Sequence, residues 1–111
     1  MERSFLAFNE RDHDALDSVY AADFVSHATG RVGVEAIKAS RRQLLQASPA
    51  AHAHVEEMLV DSDTVATRAR VTGVGAVYDG MDLVLTEKFR IENDRIVELW
   101  GEASAAEREM P

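Results

Sequence analysis

The segment that decides the fold is Phe89-Arg90-Ile91-Glu92-Asn93-Asp94-Arg95-Ile96-Val97-Glu98-Leu99-Trp100. Apolar and polar residues alternate on both sides of Glu92-Asn93-Asp94, a cluster that is typical of a tight turn. Strands joined by so short a connection pair in antiparallel fashion. The segment therefore predicts a hairpin of two strands, over about 81–92 and 95–102.

The same alternation begins earlier in the chain, at His52. It predicts two further strands, over about 52–60 and 64–74, with turns at Asp61-Ser62-Asp63 and Asp79-Gly80. The second half of the chain is thus predicted to be a four-stranded antiparallel meander.

The first half is predicted to be helical. A short N-terminal helix is followed by a helix capped by Asp12, and then by an extended segment that reaches His27. A third helix begins after Gly33 and ends before Pro49, because residues that precede proline avoid the helical conformation. Helices followed by an antiparallel sheet are typical of an α+β fold in which the helices cover one face of the sheet.

Composition narrows the class of protein. A chain of 111 residues, 46% of them apolar, suits one domain over residues 1–111. Its net charge of −8 disfavours nucleic acid and anionic membrane surfaces as partners, and its lack of cysteine excludes disulfides and thiolate chemistry. No long apolar run is present, so we expect a cytoplasmic protein.

Several motifs in order resemble the SnoaL-like polyketide cyclase family of the nuclear transport factor 2-like superfamily. They are Ala7-Phe8-Asn9-Glu10-Arg11-Asp12, Leu16, Val19-Tyr20, Asp23-Phe24-Val25-Ser26-His27, Gly33-Val34-Glu35, Pro49 and the hairpin quoted above. The resemblance implies a cone-shaped, cystatin-like fold with helices on a curved antiparallel or mixed sheet and a pocket inside it. The superfamily includes cyclases, isomerases and pocket proteins without known chemistry, so the fold alone does not fix the function. Two features depart from the family: the first helix is short, and the segment 72–80 lacks the family's Gly-Thr-His loop.

His27 is the first candidate catalytic residue. The resemblance places it near the pocket, where related isomerases carry a carboxylate base, and an ordinary imidazole pKa near 6.5 suits proton transfer at neutral pH. A partly buried histidine bonded to the backbone is the alternative. His52 and His54 share a strand face but have no third ligand at a fitting spacing, so no metal site is predicted.

Three glutamates are further catalytic candidates. Glu87 is the only charge on the strand face formed by Leu83, Leu85, Glu87, Phe89 and Ile91. It is either a pocket group with a raised pKa or a buried partner of an arginine. Glu98 matches the family's Ile-Val-Glu pattern, although pairing with Arg68 or Arg70 would also explain it. The resemblance implies an acidic residue near the end of the last strand, where Gly101 follows Trp100 and Glu102 is the nearest carboxylate.

The candidate substrate-binding residues are Tyr20, Phe24, Arg68, Phe89 and Trp100. Tyr20 closes the second predicted helix, where its hydroxyl would reach either the pocket or a partner in the core. Arg68 would bind an enolate or carboxylate, or form salt bridges within the sheet or at a dimer contact. Trp100 is expected to line the cavity or the core.

Two functions follow. The first is an acid–base enzyme, of cyclase, isomerase or hydratase type, that moves a proton on a small apolar carbonyl or polyketide-like compound without a cofactor. The second is a non-catalytic ligand-binding or dimerisation module with the same fold. Because Val97 and Leu99 are predicted to lie on the outer sheet face, away from the pocket, we also expect a homodimer through that face.

Overall fold

The computed structural model describes residues 2–75 and 77–107. Two helices, α1 (Glu2–Glu10) and α2 (Leu16–Val19), flank a 3-10 turn at His13–Ala15 and lead into β1 (Tyr20–Ser26). The remaining elements are α3 (Val34–Ala47), β2 (His52–Asp61), β3 (Thr64–Thr72), β4 (Asp82–Glu92) and β5 (Arg95–Ala106).

The five strands form one mixed sheet in the order β1-β5-β4-β3-β2. β2 to β5 pair as an antiparallel meander, and β1 pairs with β5 in parallel. Asn93 and Asp94 have φ angles of 50° and 65°, the left-handed pair that a two-residue hairpin turn requires. The predicted α+β fold and the predicted hairpin are therefore confirmed.

The largest difference from prediction lies at Tyr20, which begins a strand and does not close a helix. β1 is an edge strand that pairs with β5, seventy or more residues later in the chain, and Val25 also forms an isolated bridge with Val32. Pairing at that distance, rather than any local alternation, makes the segment extended.

A bulge in β5 changes which side chains face inward. Arg90 pairs with Glu98 while Ile91 pairs with Ile96, so Val97 is an extra residue in β5. Ile96 and Leu99 therefore both face the helices, although strict alternation would separate them. The predicted outer position of Leu99 is wrong for this reason.

The helices cover one face of the sheet through two apolar clusters. One cluster joins Phe5 and Phe8 of α1 to Ala69, Val71 and other small residues of the sheet. In the other, Leu16 and Val19 of α2 and Val34 of α3 pack with Tyr20, Phe24, Phe89 and Ile96. No helix within the described part of the chain has the length and apolar character needed to cross a membrane.

Candidate functional site

A cavity of about 260 Å³ lies between the helices and the inner face of the sheet. Its walls are mainly aliphatic and aromatic, with side chains from α1, β1, α3 and all the meander strands. The lining residues include Ser4, Phe8, Tyr20, Phe24, Arg31, Ser40, Arg41, Leu85, Glu87, Phe89 and Leu99. A small apolar chamber with a few polar groups is the usual form of a site for a small molecule.

Glu87 supplies the only carboxyl group among the described lining residues. The alternation of β4 carries it inward between Leu85 and Phe89, as the sequence pattern predicts. It makes no hydrogen bond or ion pair within residues 2–75 and 77–107. Burial raises the pKa of the Glu87 carboxyl from 4.5 to about 7, and the positive charge of Arg41 opposes that increase.

Gly101 makes room for the Glu87 side chain. The two residues are direct partners between β4 and β5. A Cβ atom at position 101 would lie 2.9 Å from Cγ of Glu87 and 2.7 Å from the carbonyl oxygen of Thr86. A larger residue at position 101 would therefore displace Glu87 or the strand that carries it.

A second polar group in the cavity joins Ser4, Tyr20 and Arg41. Arg41 donates to Oγ of Ser4 at 2.7 Å and to the Ser4 carbonyl oxygen at 2.8 Å. The Ser4 hydroxyl and the Tyr20 hydroxyl are 2.8 Å apart and share one hydrogen bond. Burial raises the pKa of the Tyr20 phenol, while Arg41 and the Ser4 hydrogen bond act in the opposite direction.

Sequence reasoning missed Ser4 and Arg41. Arg41 follows Ile37 by four residues and precedes Leu44 by three, so it occupies the apolar face of α3. An arginine at the helical spacing of the apolar residues Ile37 and Leu44 was the feature of the sequence that could have indicated a polar group in the cavity. Ser4 gives no comparable signal, because a serine in a short helix is ordinary.

Four of the predicted site residues share the cavity: Glu87, Tyr20, Phe24 and Phe89. Tyr20 and Phe24 meet edge to face, with ring centroids 5.0 Å apart. Their contacts create a rigid aromatic wall beside the polar groups. The substrate-binding roles of Tyr20, Phe24 and Phe89 stay predictions.

His27 does not point into the cavity, so the predicted position of this residue is wrong. Phe24 and Ser26 of β1 face inward, and alternation then turns His27 to the outer face. There its imidazole donates to Glu98 at 2.8 Å and stacks on Trp100, with centroids 5.1 Å apart. The side chain is 44% exposed. The backbone N–H of His27 donates to the carbonyl oxygen of Leu99, a cavity-lining residue, at 2.8 Å, but its imidazole is not part of the cavity lining.

Glu98 and Trp100 lie outside with His27. Nε of Arg90 donates to Glu98 at 2.7 Å, and Nζ of Lys88 lies 5.7 Å from the centre of the Trp100 ring. The hydrogen bond from His27 and those from Arg90 lower the pKa of the Glu98 carboxyl. The partner proposed for Glu98 was Arg68 or Arg70, and the structure supplies Arg90, because the antiparallel register pairs it with Glu98 directly.

Arg68 and Glu102 also lie outside the cavity. Arg68 forms salt bridges with Glu56 at 3.5 Å and with Glu57 at 3.9 Å. Salt bridges within the sheet were the alternative to a substrate-binding role for Arg68. Glu102 is exposed and pairs with Thr86 on the outer face. His52 and His54 have ring centroids 4.7 Å apart, and no third acidic or histidine ligand completes a metal site within the described residues.

The family described as SnoaL-like domain matches residues 1–99. The chain belongs to this family. No curated protein matches the sequence.

Three solved structures show the same fold. A candidate polyketide cyclase from Sinorhizobium meliloti is 31% identical, with 90% of each chain covered and a TM-score of 0.75. A second candidate polyketide cyclase, from Bacillus cereus ATCC 10987, is 19% identical over 91% of this chain and 69% of its own, with a TM-score of 0.81. A candidate ketosteroid isomerase from Kribbella flavida is 14% identical over 99% and 78%, with a TM-score of 0.77.

Proposed function

We propose that this SnoaL-like protein is a cofactor-independent enzyme that moves a proton on a small apolar carbonyl compound, with Glu87 as the proton-transferring group. One observation carries the proposal: the cavity of this chain holds a single carboxyl, unpaired among the described residues, whose pKa burial raises to about 7. A group that is half ionised at neutral pH serves both as base and as acid.

The position of Glu87 supports the same role. The resemblance to the family implies an acidic residue near the end of β5, where this chain has Gly101. Glu87 is the direct partner of Gly101 on the neighbouring strand and occupies the space that a side chain at position 101 would need. We infer that the acid has moved across one strand pair, from β5 to β4, while the carboxyl stays at the same place in the cavity.

The proposed reaction begins with Glu87 in its ionised form. Its carboxylate takes a proton from the carbon next to the substrate carbonyl, which leaves an enolate and a neutral Glu87 acid. The neutral acid then returns the proton to another carbon, or to the oxygen formed when the enolate closes a ring. Exclusion of water by the apolar walls favours the neutral acid and keeps the proton in the cavity.

Tyr20 is the proposed donor to the enolate oxygen. Because Arg41 donates to Oγ of Ser4, the Ser4 proton is free to be donated to the Tyr20 oxygen. The Tyr20 proton is then free for the substrate. A donor placed where negative charge develops is a main source of rate enhancement in enzymes.

Deuterium exchange tests the proposal without knowledge of the natural substrate. The protein is incubated in D₂O with an apolar enolisable ketone such as 2-tetralone, and loss of the α-proton signal is followed by NMR. Glu87→Gln is expected to lower the exchange rate by about 10²–10⁴-fold. Glu57→Gln, on the outside of β2, is the matched control and should exchange at the wild-type rate.

The alternative function is a non-catalytic ligand-binding module. It would be supported if ketones bound to the cavity, with chemical-shift changes at Phe24 and Phe89, while exchange stayed at the rate without protein. Equal exchange by wild type and Glu87→Gln would also contradict the proposed role of Glu87.

A further inference from the structure

The cavity carries a positive charge inside an acidic protein. The chain has a net charge of −8, yet the charged side chains among the described lining residues are Arg31, Arg41 and Glu87. With Glu87 ionised the cavity has a net charge of +1, and with Glu87 neutral the charge is +2. A positively charged pocket raises the local concentration of anionic ligands, even in a protein whose net charge is negative.

Arg41 forms no salt bridge among the described residues. It is half-buried, donates hydrogen bonds to the two neutral oxygens of Ser4, and its charge acts on the Tyr20 hydroxyl and the Glu87 carboxyl. Its carbon Cζ also lies 5.6 Å from the centre of the Phe8 ring. A guanidinium has five N–H donors, so several remain available to a ligand. Buried charges in proteins are normally paired. Among the described residues the only anion that lines the cavity with Arg41 is ionised Glu87, so Arg41 has no counter-charge there when Glu87 is neutral.

Arg31 stands beside the same wall. Its guanidinium donates to Oγ of Ser40, the residue before Arg41, at 3.4 Å. The two cations therefore approach the cavity from the α3 side, whereas Glu87 approaches from the sheet. The candidate anion site and the Glu87 carboxyl therefore lie on different walls of one cavity.

We propose that the cavity selects apolar molecules that carry one anionic oxygen group, such as a carboxylate or a phenolate, and that Arg41 with Arg31 binds this group. The inference rests on the proposed function for its reaction, and it adds the class of substrate: an apolar carbonyl compound that is also an acid. The guanidinium forks bind the acidic oxygens, and the apolar body lies along Phe24 and Leu85 toward Glu87.

A matched pair of probes tests the selection directly. Calorimetric titration compares 2-naphthoate with 2-naphthamide, which has the same ring system and a neutral head group. We expect the wild-type protein to bind the acid about 10–100-fold more tightly than the amide, because hydrogen bonds to a charged group are the stronger ones.

Three variants locate the preference. Arg41→Gln is expected to reduce it to less than about threefold, and Arg31→Gln to reduce it partly, since Arg31 is exposed and screened. Arg42→Gln is the control, because it removes the same charge from an exposed neighbouring position on α3 that does not line the cavity. Arg31→Gln keeps the test valid if Arg41→Gln, which loses its link to Ser4, does not fold.

The results separate this inference from the proposed function. Equal affinities for acid and amide, a preference that survives in both cavity variants, or failure of both probes to bind at millimolar concentration would overturn it. Loss of deuterium exchange in Glu87→Gln reports on the reaction alone, because Glu87→Gln keeps both arginines. An acid preference without exchange would leave the inference standing and the catalytic proposal refuted.

Discussion

Glu87 and Glu98 lie on adjacent strands of one sheet and have opposite surroundings. Glu87 faces the cavity and forms no hydrogen bond or ion pair with the described residues, and burial raises its pKa to about 7. Glu98 faces outward, accepts hydrogen bonds from His27 and Arg90, and has a lowered pKa. The same side chain thus has its carboxyl pKa raised on one face of the sheet and lowered on the other. The face, more than the residue type, sets the direction of the pKa shift.

The largest expected difference between the faces is in packing. Phe24 is 1% exposed, so Phe24→Ala should lower the free energy of unfolding by about 3–5 kcal/mol. Trp100 is 37% exposed on the outer face, and Trp100→Ala should lower it by at most about 2 kcal/mol. Urea titration of both variants measures the difference. A larger loss at Trp100 would indicate that the outer face is covered in solution.

The second prediction concerns pH. The folded protein holds the Glu87 proton more tightly than the unfolded chain, so the stability that this proton provides is complete below pH 4.5 and is lost as pH rises to about 7. Between pH 5 and pH 8 the contribution of Glu87 to the free energy of unfolding should fall by at most about 2–3 kcal/mol. The fall is smaller where the carboxyl keeps contact with water. Glu87→Gln should show a flatter profile over the same range. Parallel profiles for the two proteins would mean that Glu87 is hydrated in the cavity.

Much of this comparison follows from the sequence, because β4 is regular. Strict alternation placed Glu87 among inward apolar residues, and the turn residues fixed the position of the hairpin turn. The predicted end of the last strand, at about 102, is wrong, because β5 continues to Ala106. Alternation failed in β5, where the extra residue Val97 turns Leu99 inward. Alternation puts His27 on the face opposite to Phe24 and Ser26, but which face of β1 points inward depends on its parallel pairing with β5, and no local pattern shows that pairing. Arg41 was missed because the sequence does not show that the apolar face of α3 borders a cavity.

The predicted homodimer concerns the outer face and is expected to be weak. With Leu99 turned inward, the exposed apolar side chains of this face include Trp100, Leu59 on β2 and the half-buried Val97. We expect light scattering to give twice the monomer mass at high micromolar concentration and a falling mass on dilution. A monomer mass throughout would contradict the prediction, and Trp100→Glu should give that result if this face forms the contact.

The smallest expected effect is the sharpest test of the comparison. His27 was predicted to be the base, yet its imidazole lies on the outer face against Glu98 and Trp100. His27→Gln should therefore leave the rate of deuterium exchange within about twofold of wild type, since the proton-transferring group proposed is across the sheet. The emission of Trp100, the only tryptophan, should change in the same variant because its stacking partner is replaced. A loss of exchange of a hundredfold or more, with the fold intact by circular dichroism, would move the reaction to the outer face and refute the role assigned to Glu87.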